Sequence, residues 1–145
     1  MRPRQDGGGP EPGSFDFLGF THHWARSRKG SWVMKRKTAK SRFSRALKAL
    51  GQWMKRERHL PVAKQAKLLG QKLRGHYGYY GIRWNSGSIS RFAHEAKRLW
   101  HKWLARRSQR GLTWPAFSRL LKRHPLPPAR LRVKARQQRL QWAKP

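Results

Sequence analysis

The segment from Leu73 to Arg110 mixes aromatic rings with a dense set of cations, opposed by one carboxylate, Glu95. Aromatic faces stack on nucleobases, and guanidinium groups bind phosphates through two parallel hydrogen bonds. We therefore expect this segment to bind nucleic acid. The candidate contacts are Arg74, His76, Tyr77, Tyr79, Tyr80, Arg83, Arg91, Arg98, Lys102, Arg106, Arg107 and Arg110.

The charge of the whole chain supports a polyanionic partner. Its 145 residues include 36 Lys and Arg against 5 Asp and Glu, which gives a formal net charge of +31. Like charges at this density repel one another on folding, and a polyanion relieves that repulsion. RNA or DNA is the expected partner, since binding to phosphates releases condensed counterions. No apolar run has the length of a membrane span, so we expect no membrane partner.

Neither catalytic chemistry nor metal binding is expected of this chain alone. A two-metal polymerase site needs clustered carboxylates, whereas Glu57 and Glu95 lie on separate predicted elements. His94 and His101 are seven residues apart, which is not the spacing of a zinc site. We therefore predict no catalytic residue, no metal ligand and no cofactor. The chain also has no cysteine, and its first residues lack the apolar core of a secretory signal, so we expect a cytoplasmic protein.

Apolar periodicity predicts a mainly α fold, a small helical bundle preceded by a short β-hairpin, with flexible basic ends. Strands are expected at 15–20 and 31–35, and helices at 38–58, from Pro61 to near Gly75 or Gly78, after 85–87, and from Thr113 until the prolines at 125–128. Ser86 and Ser88 are the candidate N-caps of the third helix. The corresponding divisions are a flexible segment 1–14, a hairpin 15–37, a helical domain 38–124 and a Pro-rich, basic tail 125–145.

The third predicted helix separates apolar from basic residues. A projection at 100° per residue places Ile89, Phe92, Ala96, Leu99, Trp100 and Trp103 on one side. Arg91, Arg98, Lys102 and Arg106 lie on the other, and Glu95 is expected to pair with Arg91 or Arg98. A stripe that is merely solvated usually mixes charges of both signs, so phosphate binding is favoured here.

The aromatic residues divide into two groups. Core packing is expected for those on helical apolar faces, namely Trp53, Trp100, Trp103, Trp114 and Phe117. Tyr77, Tyr79, Tyr80 and Trp84 fall where two glycines are expected to break a helix. Exposed stacking on RNA suits that position, and Tyr79 and Tyr80 could equally cap the core.

Several motifs, in this order, resemble the C-terminal part of a bacterial group II intron-encoded reverse transcriptase/maturase. The run 15–22, FDFLGFTH, is similar to the block that ends the palm of that family. The run 73–81, LRGHYGYYG, resembles its LRGHYxYYGV block. Asn85, RLW at 98–100, RRSQR at 106–110, Trp114 and LPPAR at 126–130 resemble its later signatures. The resemblance covers roughly residues 15 to 131.

The resemblance implies a truncated piece of a larger enzyme. The family's palm carries a Tyr-Ala-Asp-Asp motif that would use Mg, and this sequence has no such motif. The run 15–37 would be a palm remnant, followed by the α-helical thumb, or maturase domain X. In the family this domain binds the intron RNA, assists its splicing and retrohoming, and guides the template–primer duplex.

Three functions follow as expectations. The first is a non-catalytic, maturase-type module that binds group II intron RNA. The second is a thumb that completes an RNA-directed DNA polymerase in trans with a separate fingers–palm chain. The third is a general basic nucleic-acid-binding protein.

Overall fold

A three-stranded antiparallel sheet precedes four α-helices in the structure, a computed structural model that describes residues 13–131. The strands are β1 (Phe15–Phe17), β2 (Phe20–Arg26) and β3 (Trp32–Thr38), paired in that order. The helices are α1 (Lys40–Arg56), α2 (Val62–Tyr80), α3 (Ser86–Ala105) and α4 (Trp114–Arg123). The predicted mainly α fold is confirmed. Most of the predicted flexible segment 1–14 and the predicted tail after residue 131 lie outside the described residues.

The first predicted strand is divided in two by a tight turn. Leu18 and Gly19 both have positive φ, at 53° and 85°, and a two-residue hairpin loop of this kind requires positive φ at both positions. Phe17 consequently pairs with Phe20 across the turn. The predicted single strand 15–20 is therefore two strands, because the turn at Leu18 is not marked by a residue that favours it. The predicted hairpin is present between β2 and β3.

The long hairpin joins β2 to β3, with registers from Phe20 opposite Thr38 to Arg26 opposite Trp32. The polar connector that ends in Gly30 forms its turn, as expected. Ser27 N–H donates to the Ser31 carbonyl at 2.8 Å, and Gly30 has a φ of 82°. The sheet leads directly into the helices, since Ala39 lies between β3 and α1 and is buried.

The core lies along the inner face of α3. Ile89, Phe92, Ala96, Trp100 and Leu104 of this helix are all buried. The other helices contribute a buried set to the same cluster: Leu50, Trp53, Met54, Ala66, Leu69, Leu73, Tyr77 and Phe117. The projected apolar face is confirmed at its centre. Leu99 and Trp103 are only partly buried at its edge, and Leu104 is the member that the projection missed.

Helix α2 runs without interruption through both glycines that were expected to end it. It continues past Gly75 and Gly78 to Tyr80, and Gly81 N–H donates to the Tyr77 carbonyl at its end. The prediction of a break is wrong, because burial of Leu73 and Tyr77 against α3 stabilises the helix beyond the low propensity of glycine.

Asn85 connects the sheet to α2 and α3. Its side chain is 1% exposed. The amide oxygen accepts from Thr38 N–H at 2.8 Å, and the amide nitrogen donates to the Thr38 hydroxyl and the Tyr80 carbonyl, each at 2.8 Å. Asn85 occupies the N-cap position of α3 without capping it. The prediction of Ser86 or Ser88 as N-cap is wrong, and this buried network is the reason that Asn85 occupies that position.

A second buried amide connects the loop between α1 and α2 to the core. Gln65 donates to the carbonyls of Glu57 at 3.0 Å and Leu60 at 3.2 Å, and it accepts from the Trp100 indole at 3.0 Å. The start of the predicted tail joins the same core, since Leu126, Ala129 and Leu131 pack against it.

Candidate nucleic-acid interface

The outer face of α3 carries an exposed row of cations. Arg91, Arg98, Lys102 and Arg106, which we call the α3 stripe, are all exposed. They span about 22 Å of helix at 1.5 Å per residue. The inner face of the same helix is buried, so packing fixes the direction in which the stripe faces. The predicted separation of basic and apolar faces is thus confirmed.

Aromatic rings lie beneath three of the four stripe cations. The Arg91 guanidinium is 4.9 Å from the centroid of Phe43, and the Arg106 guanidinium is 4.9 Å from that of Trp103. The Lys102 ammonium is 5.9 Å from the Trp103 ring. Cations held over rings have fewer conformations to lose when they bind an anion. These contacts therefore restrict the conformations of three of the stripe cations.

The fourth stripe cation is held by the carboxylate of the same face. Arg98 Nη1 lies 3.3 Å from Glu95 Oε1, one of the two alternative pairings expected from the sequence. The Arg98 side chain is 60% exposed, so solvent screens the pair and its contribution to stability is small. Its remaining guanidinium donors stay available to a phosphate.

The other basic candidates lie in the loops on either side of α3 and on α2. Arg107 and Arg110 are exposed after the last turn of α3, in the direct continuation of the chain beyond Arg106. Arg74 is exposed on α2, and Arg83 is exposed in the loop between α2 and α3. The structure leaves all four accessible, and Arg107 and Arg110 are the ones that follow Arg106 in the chain.

Tyr77 lies in the core, which corrects the expectation of an exposed stacking ring at that position, and His76 is partly buried beside it. Tyr77 is 6% exposed and its hydroxyl has no hydrogen-bond partner among the described residues. Burial raises the pKa of Tyr77 to about 12. The His76 ring stacks on Phe92 at 3.7 Å, and burial lowers the pKa of His76 to about 4. Because α2 continues through this region, its inward positions face α3.

Tyr79 and Tyr80 connect α2 to the sheet. Tyr79 stacks on Phe20 at 5.7 Å, and its hydroxyl donates to the Leu18 carbonyl at 2.7 Å. Tyr80 packs on both Phe20 and His76, and burial raises its pKa. Of the two alternatives, capping of the core fits Tyr80. Tyr79 remains 53% exposed and combines a structural contact with an accessible ring.

Trp84 lies in the loop after α2, where its backbone has a φ of 75°. This left-handed conformation is unfavourable for a bulky side chain. The Lys35 ammonium at 4.5 Å and the Arg83 guanidinium at 4.6 Å lie over its ring. The indole is 39% exposed, so an accessible aromatic ring lies next to two positive charges.

Trp114 is the functional candidate that reasoning from the sequence missed. It was expected in the core with Phe117, but it is 53% exposed, whereas Phe117 is 1% exposed. Trp114 is the first residue of α4, and the start of this helix is exposed at the surface. Thr113 caps the helix, because its side chain accepts a hydrogen bond from Ala116 N–H. The Trp–Pro pair that follows it is the sequence signal that could have indicated an exposed first turn.

Within residues 13–131, no group of three or more His, Cys, Asp or Glu side chains is placed to hold a metal ion. None of the four described helices has the length and apolar character needed to cross a membrane. Comparison with protein-family models, curated proteins and solved structures finds no match to this chain.

Proposed function

We propose that this chain is an RNA-binding module of the maturase type, which grips group II intron RNA through the α3 stripe. The observation that supports this most strongly is the stripe itself, four exposed cations on the outer face of a helix whose inner face is fixed by the core. Such a rigid row suits the backbone of a structured RNA, recognised mainly through its phosphates and its shape.

The resemblance of residues 15–131 to the end of the palm and the thumb of group II intron reverse transcriptases supports the choice of RNA. In the proposal the chain assists intron splicing and retrohoming in the cytoplasm, and a template–primer duplex is a second ligand of the same face. It performs no catalysis alone, and any Mg-dependent polymerisation would belong to a separate palm.

The choice of intron RNA over nucleic acid in general is tested by competition. The full chain should bind a folded group II intron RNA more tightly than a random-sequence RNA duplex of equal length and at equal salt, since a preorganised surface complements one arrangement of backbones. Filter binding with each RNA as competitor measures the ratio. Equal affinities would contradict the maturase-type proposal and favour a general basic nucleic-acid-binding protein.

One observation favours a second candidate, a polymerase thumb completed in trans. Phe15, Phe17 and Leu18 are 51%, 59% and 67% exposed on and beside the edge strand β1. Apolar side chains grouped at a sheet edge are typical of a surface that another chain covers. A separate fingers–palm chain would fit there. Co-purification of such a chain, lost when Phe15 and Phe17 are replaced by serine, would support this candidate.

A further inference from the structure

A notch of about 300 Å³ lies between the middle of α3 and the first turn of α4. Its lining consists of Glu95, Arg98, Leu99, His101, Lys102 and Trp114. Two cations of the α3 stripe therefore meet a carboxylate and an exposed indole at one place. The volume is at the lower end of the range for sites that hold small organic groups.

The Trp114 indole lines the notch and is held in place by a stacked histidine ring. The His101 ring stacks on it at 4.1 Å with an interplanar angle of 11°. His101 Nε2 lies 2.6 Å from the Leu112 carbonyl oxygen, which fixes the orientation of the imidazole. With His101 on one face, Trp114 remains 53% exposed. An exposed indole is suited to stacking on a nucleobase.

Glu95 is the feature that phosphate binding does not explain. A carboxylate within a row of cations repels the phosphates that the row binds. Its Oε1 contacts Arg98, and the other oxygen has no partner within residues 13–131. An ionised carboxylate can only accept hydrogen bonds, so it suits a ligand that presents N–H donors. The donors on the edge of an unpaired nucleobase meet this requirement.

We propose that this notch binds a single unpaired guanine of an RNA that lies along the α3 stripe. The inference rests on the proposed RNA-binding function and specifies its ligand. Guanine stacks on Trp114, and its N1–H and N2–H groups donate to Glu95. Arg98 or Lys102 donates to guanine O6, the acceptor on the same edge. Uracil fits less well, because its one N–H is flanked by two carbonyl oxygens that face the carboxylate.

The test compares RNA duplexes that differ only at one bulged nucleotide. The probes are a fully paired duplex, the same duplex with a bulged guanosine, and the same duplex with a bulged uridine. The full chain should prefer the guanosine bulge over the paired duplex by about 5-fold or more, the lower end of the range for stacking of a base on an aromatic residue. The uridine bulge should bind more weakly than the guanosine bulge.

Two variants separate recognition of the base from structural effects. Trp114→Leu keeps an apolar cover over Phe117 and should abolish the preference for a bulge while duplex affinity changes by less than about 2-fold. Glu95→Gln should bind the paired duplex slightly more tightly, since a negative charge is removed, and should lose the preference for guanosine. Trp32→Leu, at a partly exposed tryptophan of β3 that lies under Arg26, is the matched control and should keep both preferences.

Each remaining outcome decides against the inference. If the wild-type chain binds the duplex in a salt-sensitive manner without any preference for a bulge, guanine binding in the notch is wrong and the proposed function is retained. Equal loss on all three probes in Trp114→Leu would make Trp114 a general or structural contact. A guanosine preference that survives Glu95→Gln would remove Glu95 from recognition. Absence of duplex binding by the wild-type chain would overturn the proposed function together with the inference.

Discussion

His76 lies between two aromatic rings, 3.7 Å from the centroid of Phe92 and 4.6 Å from that of Tyr80. Its Nε2 atom is buried without a hydrogen-bond partner in the described part of the chain. A charged imidazole would be poorly solvated there, which is why the pKa of His76 falls from 6.5 to about 4. This histidine therefore links the packing of α2 on α3 to pH.

The His76 pKa predicts a specific loss of stability in acid. Between about pH 6.5 and pH 4 the unfolded chain binds a proton at this site that the folded chain does not. The contribution is thus complete above pH 6.5 and is lost as the pH falls towards 4. Allowing for partial exposure, we expect a loss of about 1–2 kcal/mol.

Urea unfolding of the wild-type chain and of His76→Phe, each at about pH 7 and about pH 4.5, measures how much stability His76 loses in acid. The wild-type chain should lose more free energy of unfolding on acidification than the variant. The other titrating groups are common to both proteins and cancel in the comparison. An identical pH dependence in the two proteins would contradict this, because it would show that the pKa of His76 is the same in the folded and unfolded chains.

Among the helices and strands, the continuation of α2 through Gly75 differs most from what the sequence predicts. A Cβ added at Gly75 would meet no atom within 4 Å, whereas Gly19 has a φ of 85° and lies against Tyr80. We therefore expect Gly75→Ala to raise the free energy of unfolding by about 0.5–1 kcal/mol, since alanine favours helix. Gly19→Ala, the matched control, should lower the free energy of unfolding, because alanine is strained at this positive φ. Chemical denaturation of both variants measures the difference, and destabilisation by Gly75→Ala would mean that the helix breaks there.

Periodicity was sufficient to predict the elements that bury a continuous apolar face. The heptad-like spacing from Ile89 to Trp100 locates α3 and its exposed stripe, because one face must pack while the other remains in water. Local propensity was insufficient at the junctions. The turn at Leu18 and the continuation of α2 past Gly78 both depend on tertiary contacts of Tyr79 and Tyr77, which no local pattern encodes.

Individual site residues were predictable only where their exposure follows from helix geometry. The stripe from Arg91 to Arg106 meets that condition. Tyr77 and His76 do not, since the burial of the first and the partial burial of the second depend on where α2 ends. Trp114 and Phe117 are three residues apart and share an apolar pattern, yet one is exposed and the other buried. Their apolar spacing does not distinguish them, and the Trp–Pro pair at the start of α4 is the sequence signal that does.

At the scale of the whole molecule, a formal net charge of +31 must be reconciled with a folded core. The described structure places its cations outside a core built from α1 to α4, and the ion pair between Arg98 and Glu95 is the one found within residues 13–131. The positive field therefore remains largely uncompensated within the described part of the chain. Such a surface binds polyanions strongly at low salt, so affinity alone cannot identify the α3 stripe as the interface.

The most direct test of the central claim is the salt dependence of RNA binding when the α3 stripe is removed. Replacing Arg91, Arg98, Lys102 and Arg106 by glutamine should reduce the slope of log K against log salt by about 3, because each phosphate contact releases close to one counterion. Helicity, measured by circular dichroism, should not change. The matched control replaces four other exposed cations, Lys48, Lys55, Lys64 and Lys67, on α1 and α2.

The two variants lose the same net charge, so only the position of the charge differs between them. We expect a slope that is clearly smaller for the stripe variant and close to the wild-type value for the control. Equal slopes in the two variants would contradict it, because RNA would then be responding to the total charge of the protein and not to the face of α3.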